Sequence, residues 1–230
     1  MLYLILIVGS ILISLAASAR VKSTFHHYSQ IPASSGATGA EAAAAILRQA
    51  GISDVEIVAQ DQILGDHYDP TNKRLVLSAE NFHGTSVAAL GVAAHECGHA
   101  LQHQQAYGPL EWRMAAVGAV SFVNPMLMWI WPLAFLGLVP GRLAMLVCAA
   151  GWSIIMLFNL ITLPVEFDAS NRAKALLPRM GFISSGEEMD GVRKTLDAAG
   201  WTYVAAFVTS LGYVLYYLLP LLLGGNRRDD

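Results

Sequence analysis

The sequence predicts a mainly α-helical membrane protein, with about four transmembrane helices and one small α+β unit. Two observations lead to this fold class. Of the 230 residues, 55% are hydrophobic and only 13% are charged, whereas soluble domains usually carry about 25% charged residues. The apolar residues are also concentrated in four long stretches, each near the ~20 residues that a helix needs to cross a bilayer. Because backbone groups in lipid must bond internally, these stretches are expected to be helices.

The four apolar stretches divide the chain into alternating membrane and polar segments. The predicted organisation is an anchor at 1–19, a polar catalytic segment at 20–113, a transmembrane hairpin at 114–165, a helical polar segment at 166–202, a transmembrane helix at 203–224 and a polar tail at 225–230. Ala17-Ser18-Ala19 resembles a signal-peptidase site. Cleavage of the first stretch is therefore an alternative to an anchor, although no basic residue precedes the apolar run.

Both polar segments lie on one side of the membrane if all four stretches cross it. Cytoplasmic loops carry an excess of Lys and Arg close to the span ends. The side with both polar segments has Arg20, Lys22, Arg113, Arg172, Lys174, Arg179, Arg193 and Lys194, and the other side has Arg142, Arg227 and Arg228. The comparison predicts a multi-pass protein of the cytoplasmic membrane, with both polar segments in the cytoplasm. The net charge of −3, without a basic patch, gives no indication of nucleic-acid binding.

The first polar segment has the pattern of a small α+β unit. Thr38 and Glu41 have the spacing of a capping box before an alanine-rich helix. Residues 55–59 and 74–78 have the composition of short strands, with a turn at 65–70 between them. Thr85 or Ser86 can then cap a further helix that continues to about Gln105.

The segment His95-Glu96-Cys97-Gly98-His99 in that last helix has the spacing of a zinc site. Residues four apart share one helix face, so the two imidazoles can bind one metal ion. Zinc lowers the pKa of bound water towards about 7, and the neighbouring Glu96 can accept its proton and pass it to the leaving amine of a peptide. We therefore predict a hydrolase with one Zn²⁺ per chain. The metzincin pattern is excluded, because Gln102 and Gln105 stand where it requires Gly and His.

A catalytic zinc site needs a third protein ligand. His103 shares the face of the two histidines, but the ends of such a row lie about 12 Å apart, so we do not expect it to bind. Glu166 follows the third apolar stretch directly, and a carboxylate so close to the membrane edge usually has a function. Its position alone also fits an ordinary interfacial residue at a helix start. Glu187, Glu188 and Asp190 are rival carboxylates.

Several segments along the chain form a joint pattern. They are Gly39-Ala40-Glu41, Asp66-His67-Tyr68-Asp69-Pro70, Leu77-Ser78, the run from Ala93 to Gln102, the run from Leu163 to Ser170, the run from Leu196 to Ala199 and the run from Thr202 to Ala206. This pattern resembles the bacterial YugP-like neutral zinc metallopeptidases of the membrane. The resemblance implies zinc on His95 and His99, with Glu96 as the catalytic base.

The segment after Glu166 also resembles the ligand helix of HtpX-like and CAAX-prenyl-type membrane proteases, which has the pattern Glu-x-x-Ala-Asp. This second resemblance implies that Glu166 is the third ligand. Ala169 matches the pattern, but Ser170 stands where those proteases have Asp. The sequence therefore does not assign the residue that hydrogen-bonds to the metal ligands and orients them. Asp168 and Asn171 are both candidates.

These observations predict a gluzincin-like endopeptidase on a zincin-like unit, which cleaves membrane or membrane-proximal proteins. Its predicted partners are a protein or peptide substrate and the lipid bilayer, and the sequence indicates no oligomeric state. One alternative is a site-2-type intramembrane protease, but only Val87 to Ala94 is apolar before His95, which is too short to span. Another is a zinc-containing membrane scaffold with little turnover, although the intact Glu96 is typical of an active enzyme.

Overall fold

Helices dominate the secondary structure, as the sequence predicts. The computed structural model describes residues 2–61, 65–184 and 186–223. In chain order its elements are α1 (Leu2–Tyr28), α2 (Gly39–Gln49), β1 (Glu56–Gln60), β2 (His67–Asp69), β3 (Arg74–Ser78), α3 (Ala79–His83), α4 (Val87–Gln104), α5 (Gly108–Phe135), α6 (Gly141–Arg179) and α7 (Glu187–Leu223). The predicted polar tail at 225–230, with Arg227 and Arg228, lies outside the described residues.

Four helices of the described chain are long and apolar enough to cross a membrane, namely α1, α5, α6 and α7. This confirms the predicted number of helices that are able to span a membrane. The helices are longer than the apolar stretches, because neighbouring polar residues continue each helix. Thus α6 runs on from the third apolar stretch to Arg179, and α7 begins at Glu187, well before the fourth stretch.

The chain divides into two compact units. Of the described residues, the first unit comprises 2–15, 112–163 and 203–223, and it contains most of the apolar stretches. Two pairs of polar side chains inside it bond to each other, which lowers the cost of burying them among apolar groups. Asn159 donates to the Ser210 hydroxyl at 3.1 Å, and the Trp131 ring N–H donates to the Tyr217 hydroxyl at 3.1 Å.

The second unit comprises Ala16–Glu111 and Pro164–Thr202. Its centre is the packing of α2 against α4, where Ala42, Ala43, Leu90 and Ala93 are buried completely or almost completely. The small side chains allow the two helices to approach closely. The caps follow the sequence prediction. Thr38 and Glu41 form the capping box of α2, and the Ser86 side chain caps α4 by accepting from the Ala89 amide at 3.1 Å.

A three-stranded sheet lies in the same unit, with the strand order β1-β3-β2. The strands β1 and β3 are parallel, and β2 is antiparallel to β3. The two outer predicted strands are confirmed to within one residue, but the predicted turn at 65–70 is in part wrong. His67, Tyr68 and Asp69 pair with β3 as a short edge strand, because pairing along β3 satisfies backbone groups that a turn would leave open to water. The zincin-like character of the unit remains a prediction.

The helices α4 and α6 lie almost in backbone contact at Gly98. A Cβ atom at this position would lie 2.8 Å from the carbonyl oxygen of Ala169 and 2.9 Å from its Cα atom. Both atoms belong to the backbone of α6, so they cannot move aside as a flexible side chain can. Gly98 therefore permits a helix contact that no other residue type allows without a shift of the backbone.

Substitution of Gly98 by alanine should therefore destabilise the second unit. Alanine favours the helix by up to about 1 kcal/mol, but overpacking against a backbone costs about 1–3 kcal/mol or more, so a net loss is expected. The measurement is the thermal unfolding midpoint of the full chain in detergent. The matched control is Gly91→Ala in the same helix, where the nearest atom to the new Cβ is Val192 Cγ1 at an ordinary 3.6 Å. An unchanged midpoint for Gly98→Ala would contradict the close packing.

Candidate metal centre

Three predicted ligand residues meet between α4 and α6. His95 and His99 project from one face of α4, with ring centroids 4.8 Å apart. The Oε2 atom of Glu166 on α6 lies 3.3 Å from His95 Nε2 and 3.7 Å from His99 Nε2. One potential ligand atom from each residue lies within 4.8 Å of the other two. This separation is close enough for all three atoms to contact one ion.

The burial and charge of this cluster suit a cation. The side chain of Glu166 is only 2% exposed, and a buried carboxylate is costly unless a positive group or hydrogen bonds compensate it. Two imidazole nitrogens and one carboxylate oxygen are also a donor set that Zn²⁺ prefers in catalytic sites. The residues present therefore fit a zinc ion, with the Nε2 atoms as the histidine donors.

The pKa of His99 also reflects the negative charge at this cluster. Burial alone lowers the pKa of this imidazole. The close approach of Glu166 and the negative charges of Glu166 and Glu96 outweigh that effect, so the pKa of His99 is raised above its usual value. Glu96, one turn before the end of the motif, is itself buried at 7% exposure. Two carboxylates thus create a potential at the cluster that attracts a cation.

Gln102 fixes the orientation of His99. Its side-chain oxygen lies 2.9 Å from His99 Nδ1. Its amide nitrogen donates to the Val165 carbonyl and to Asp168 Oδ2, both at 2.8 Å. Because the nitrogen of Gln102 is occupied on α6, its oxygen is available to accept from His99 Nδ1. This bond places the proton on Nδ1 and leaves Nε2 with the lone pair that a metal needs.

His95 has a different support. The Ser170 hydroxyl on α6 lies 3.1 Å from His95 Nδ1. Ser170 thus contacts the histidine from the position at which the pattern Glu-x-x-Ala-Asp has its Asp. Of the two candidates that the sequence left open, Asp168 contributes indirectly, through Gln102, whereas the side chain of Asn171 is exposed.

The network continues beyond Asp168 to a bridge between the two helices. Arg172 donates from Nε to Asp168 Oδ2 at 2.6 Å and from Nη1 to Gln105 Oε1 at 2.7 Å. The guanidinium also lies 6.0 Å from the centroid of the Tyr107 ring. Arg172 therefore holds the Asp168 carboxylate that binds Gln102, and it ties the end of α4 to α6.

The rival ligands lie elsewhere in the described chain. His103 is outside the cluster, and its Nδ1 atom lies 2.8 Å from the Tyr68 hydroxyl. Glu188 accepts from the backbone amides of Ser34 and Ser184 at 2.9 and 2.8 Å.

Cys97 points to α2, where its Sγ atom lies 3.7 Å from the Ala43 carbonyl oxygen, and burial raises the pKa of its thiol. Cys97 is thus a packed side chain.

Sequence reasoning missed the roles of Gln102 and Ser170. Gln102 entered only as evidence against the metzincin pattern, although it lies three residues after His99 on the same side of α4. It is also completely buried, and a buried amide requires partners for all its polar atoms. A polar residue at a core-facing position of a helix is the signal that could have identified it.

Loss of the Gln102 amide should weaken metal binding without unfolding the helix. We expect Gln102→Met, which keeps the length of the side chain, to lower zinc affinity about 10- to 100-fold, as is usual when the partner of a ligating histidine is removed. The measurement is competition with a chelator of known affinity. Gln104→Met is the control, because Gln104 is exposed and its one bond among the described residues is to the Ala50 carbonyl. Equal affinities for both variants would show that Gln102 does not position His99.

Comparison with known proteins agrees with the geometry of this site. The family described as "Putative neutral zinc metallopeptidase" matches residues 3–222. The chain is 43% identical over 235 residues to "Putative membrane protease YugP" of Bacillus subtilis (strain 168), and the match covers 100% of both chains. No solved structure shows a match to this chain. With four helices able to span a membrane and a cluster that can bind a metal ion, the chain belongs to this family of neutral zinc metallopeptidases.

Proposed function

We propose that this chain is a membrane-anchored zinc endopeptidase in which His95, His99 and Glu166 hold the ion and Glu96 is the general base. The observation that carries the proposal is the convergence of three ligand atoms from α4 and α6 within 4.8 Å. The family membership supports the reaction class, because it is a family of zinc peptidases. The buried position of Glu96 beside the two histidines supports its role.

Each residue has a distinct task in the proposed reaction. A bound zinc ion supplies Lewis-acid chemistry, since it acidifies water and polarises a carbonyl oxygen. Glu96 accepts a proton from the attacking water and passes it to the amine nitrogen that leaves the peptide. Gln102 and Ser170 hold the imidazoles in place, so that Glu96 and the ligands keep their geometry while the proton moves.

The proposed substrates are membrane proteins or segments close to a membrane. Glu166 follows the third apolar stretch directly in the chain, which supports a site near the membrane surface. The excess of basic residues in the two polar segments supports a cytoplasmic site in the cytoplasmic membrane. The site-2-type alternative is disfavoured, because α4 is not among the four described helices that can span a membrane.

Replacement of Glu96 by Gln should stop hydrolysis and leave the metal in place. The amide keeps the size of the side chain but cannot accept the proton, and the loss of a general base costs about 10²- to 10⁴-fold in rate. The measurement is cleavage of a fluorogenic peptide library by the full chain in proteoliposomes, together with its zinc content. Glu80→Gln, at an exposed residue of α3, is the control with the same chemical change. Activity of Glu96→Gln at the wild-type rate would refute the assigned base, and a wild type without stoichiometric zinc would refute the enzyme class.

Replacement of Glu166 by Gln should instead release the metal. A neutral amide removes one of three proposed ligands, so the fall in zinc affinity should exceed the 10- to 100-fold loss expected for a supporting residue, and we expect at least about a hundredfold. The measurement is zinc retained by the purified protein after dialysis against a chelator. Glu187→Gln is the control, because this rival carboxylate is exposed. Loss of zinc from Glu187→Gln but not from Glu166→Gln would reassign the third ligand.

A further inference from the structure

A cavity of about 450 Å³ lies between the polar ends of α1 and α7, within the second unit. The two helices touch beside it, where a Cβ atom at Gly191 would lie 2.7 Å from Tyr28 Cδ1. Tyr28 also lines the cavity, and the ammonium group of Lys194 lies 6.0 Å from the centroid of its ring. None of the proposed metal ligands contributes to the lining, so the cavity is a separate feature of the molecule.

The lining of this cavity is positively charged. Arg20 on α1 and Lys194 on α7 both line it, and neither forms an ion pair with a carboxylate of the described residues. Asp197 also lines it, but this carboxylate is paired with Lys174 at 2.5 Å. Two cations and one carboxylate thus line the cavity, and because that carboxylate is paired with Lys174, the lining keeps a net positive charge.

Neutral hydrogen-bond donors also line the cavity. Ser23 and Thr24 contribute hydroxyl groups on α1, and His27 contributes a ring N–H one turn later. A phosphate group carries several acceptor oxygens, and it binds most strongly where charged and neutral donors converge. The lining thus has the chemistry of a phosphate site.

The position of the cavity along the two helices corresponds to the headgroup layer. Arg20 follows the apolar stretch of α1 directly, and Trp201 precedes the apolar stretch of α7 by two residues. Trp201 is 56% exposed and lines the cavity, and exposed Trp is enriched where the bilayer meets water. From Arg20 to His27 the helix rises about 10 Å, which is comparable with the roughly 5–8 Å of headgroup region on each side of the hydrocarbon core.

We propose that this cavity binds the phosphate of an anionic phospholipid, held by Arg20 and Lys194. Charge complementarity selects an anion, and the adjoining apolar stretches and Trp201 select one that carries acyl chains. The site makes the protein sensitive to the lipid composition of its membrane, independently of the proposed catalytic residues.

Native mass spectrometry of the full chain can test this site. The protein in neutral detergent is titrated with phosphatidylglycerol and, separately, with phosphatidylcholine. We expect the wild-type protein to bind phosphatidylglycerol more tightly than phosphatidylcholine. The double variant R20Q/K194Q should lose about 25-fold in affinity for phosphatidylglycerol, since each cation near an anionic lipid contributes about fivefold.

The matched control is K22Q/R193Q, which removes the same charge from the same two helices at exposed positions outside the cavity. This control should change lipid affinity by less than about twofold. An equal loss in both double variants would show that surface charge in general, and not this cavity, attracts the lipid, and it would overturn the site. R20K/K194R keeps both charges and should retain binding. Ser23→Ala with Thr24→Val removes neutral donors alone and should weaken it, so the test does not depend on one variant folding.

Competition with inorganic phosphate distinguishes a site for a lipid headgroup from a site for a free phosphate ion. Inorganic phosphate in excess should not displace phosphatidylglycerol from wild type, because the acyl chains add apolar contacts that the free anion lacks. Full displacement would show a site for a soluble phosphate and overturn the lipid assignment. An equal affinity of wild type for phosphatidylglycerol and phosphatidylcholine would overturn the site altogether.

Discussion

The amide of Gln102 joins the two helices that carry the candidate metal ligands. It bonds to His99 on one side and to the backbone of Val165 and the carboxylate of Asp168 on the other. These bonds require α4 and α6 to lie almost in backbone contact, which Gly98 permits because it has no side chain. The distance between the histidines and Glu166 thus depends on a glycine and a buried glutamine that do not themselves bind metal.

This arrangement explains why a buried acidic group is tolerated in the second unit. Glu166 lies among side chains that exclude water, at a position where an uncompensated charge is expensive. The two imidazole Nε2 atoms face its Oε2 atom, while their Nδ1 atoms are held by Gln102 and Ser170. The two imidazoles and the Glu166 carboxylate thus direct their lone pairs to the same small space. A zinc ion held there by His95, His99 and Glu166 would balance the buried charge.

Local sequence patterns predicted much of this structure. The features that form only through contacts between distant segments of the chain were not predicted. Apolar length identified the four long helices, and the caps at Thr38 and Ser86 depend on neighbours within one turn. The strand at His67–Asp69 was missed because it exists only through pairing with β3. The support of His95 by Ser170 was missed for a similar reason, since the two residues are far apart in the chain and meet only where α6 crosses α4.

X-ray absorption spectroscopy of the zinc-loaded full chain tests the central claim most directly, because it reports the atoms bound to the metal. Two histidines and Glu166 predict a shell of nitrogen and oxygen at about 2.0–2.2 Å, with the multiple scattering of two imidazole rings. Glu166→Gln binds zinc more weakly, but when it is measured with zinc in excess, its spectrum should lose one oxygen scatterer and keep both imidazole rings. A sulfur scatterer at about 2.3 Å would assign Cys97 to the metal and contradict the account, as would a spectrum with no imidazole.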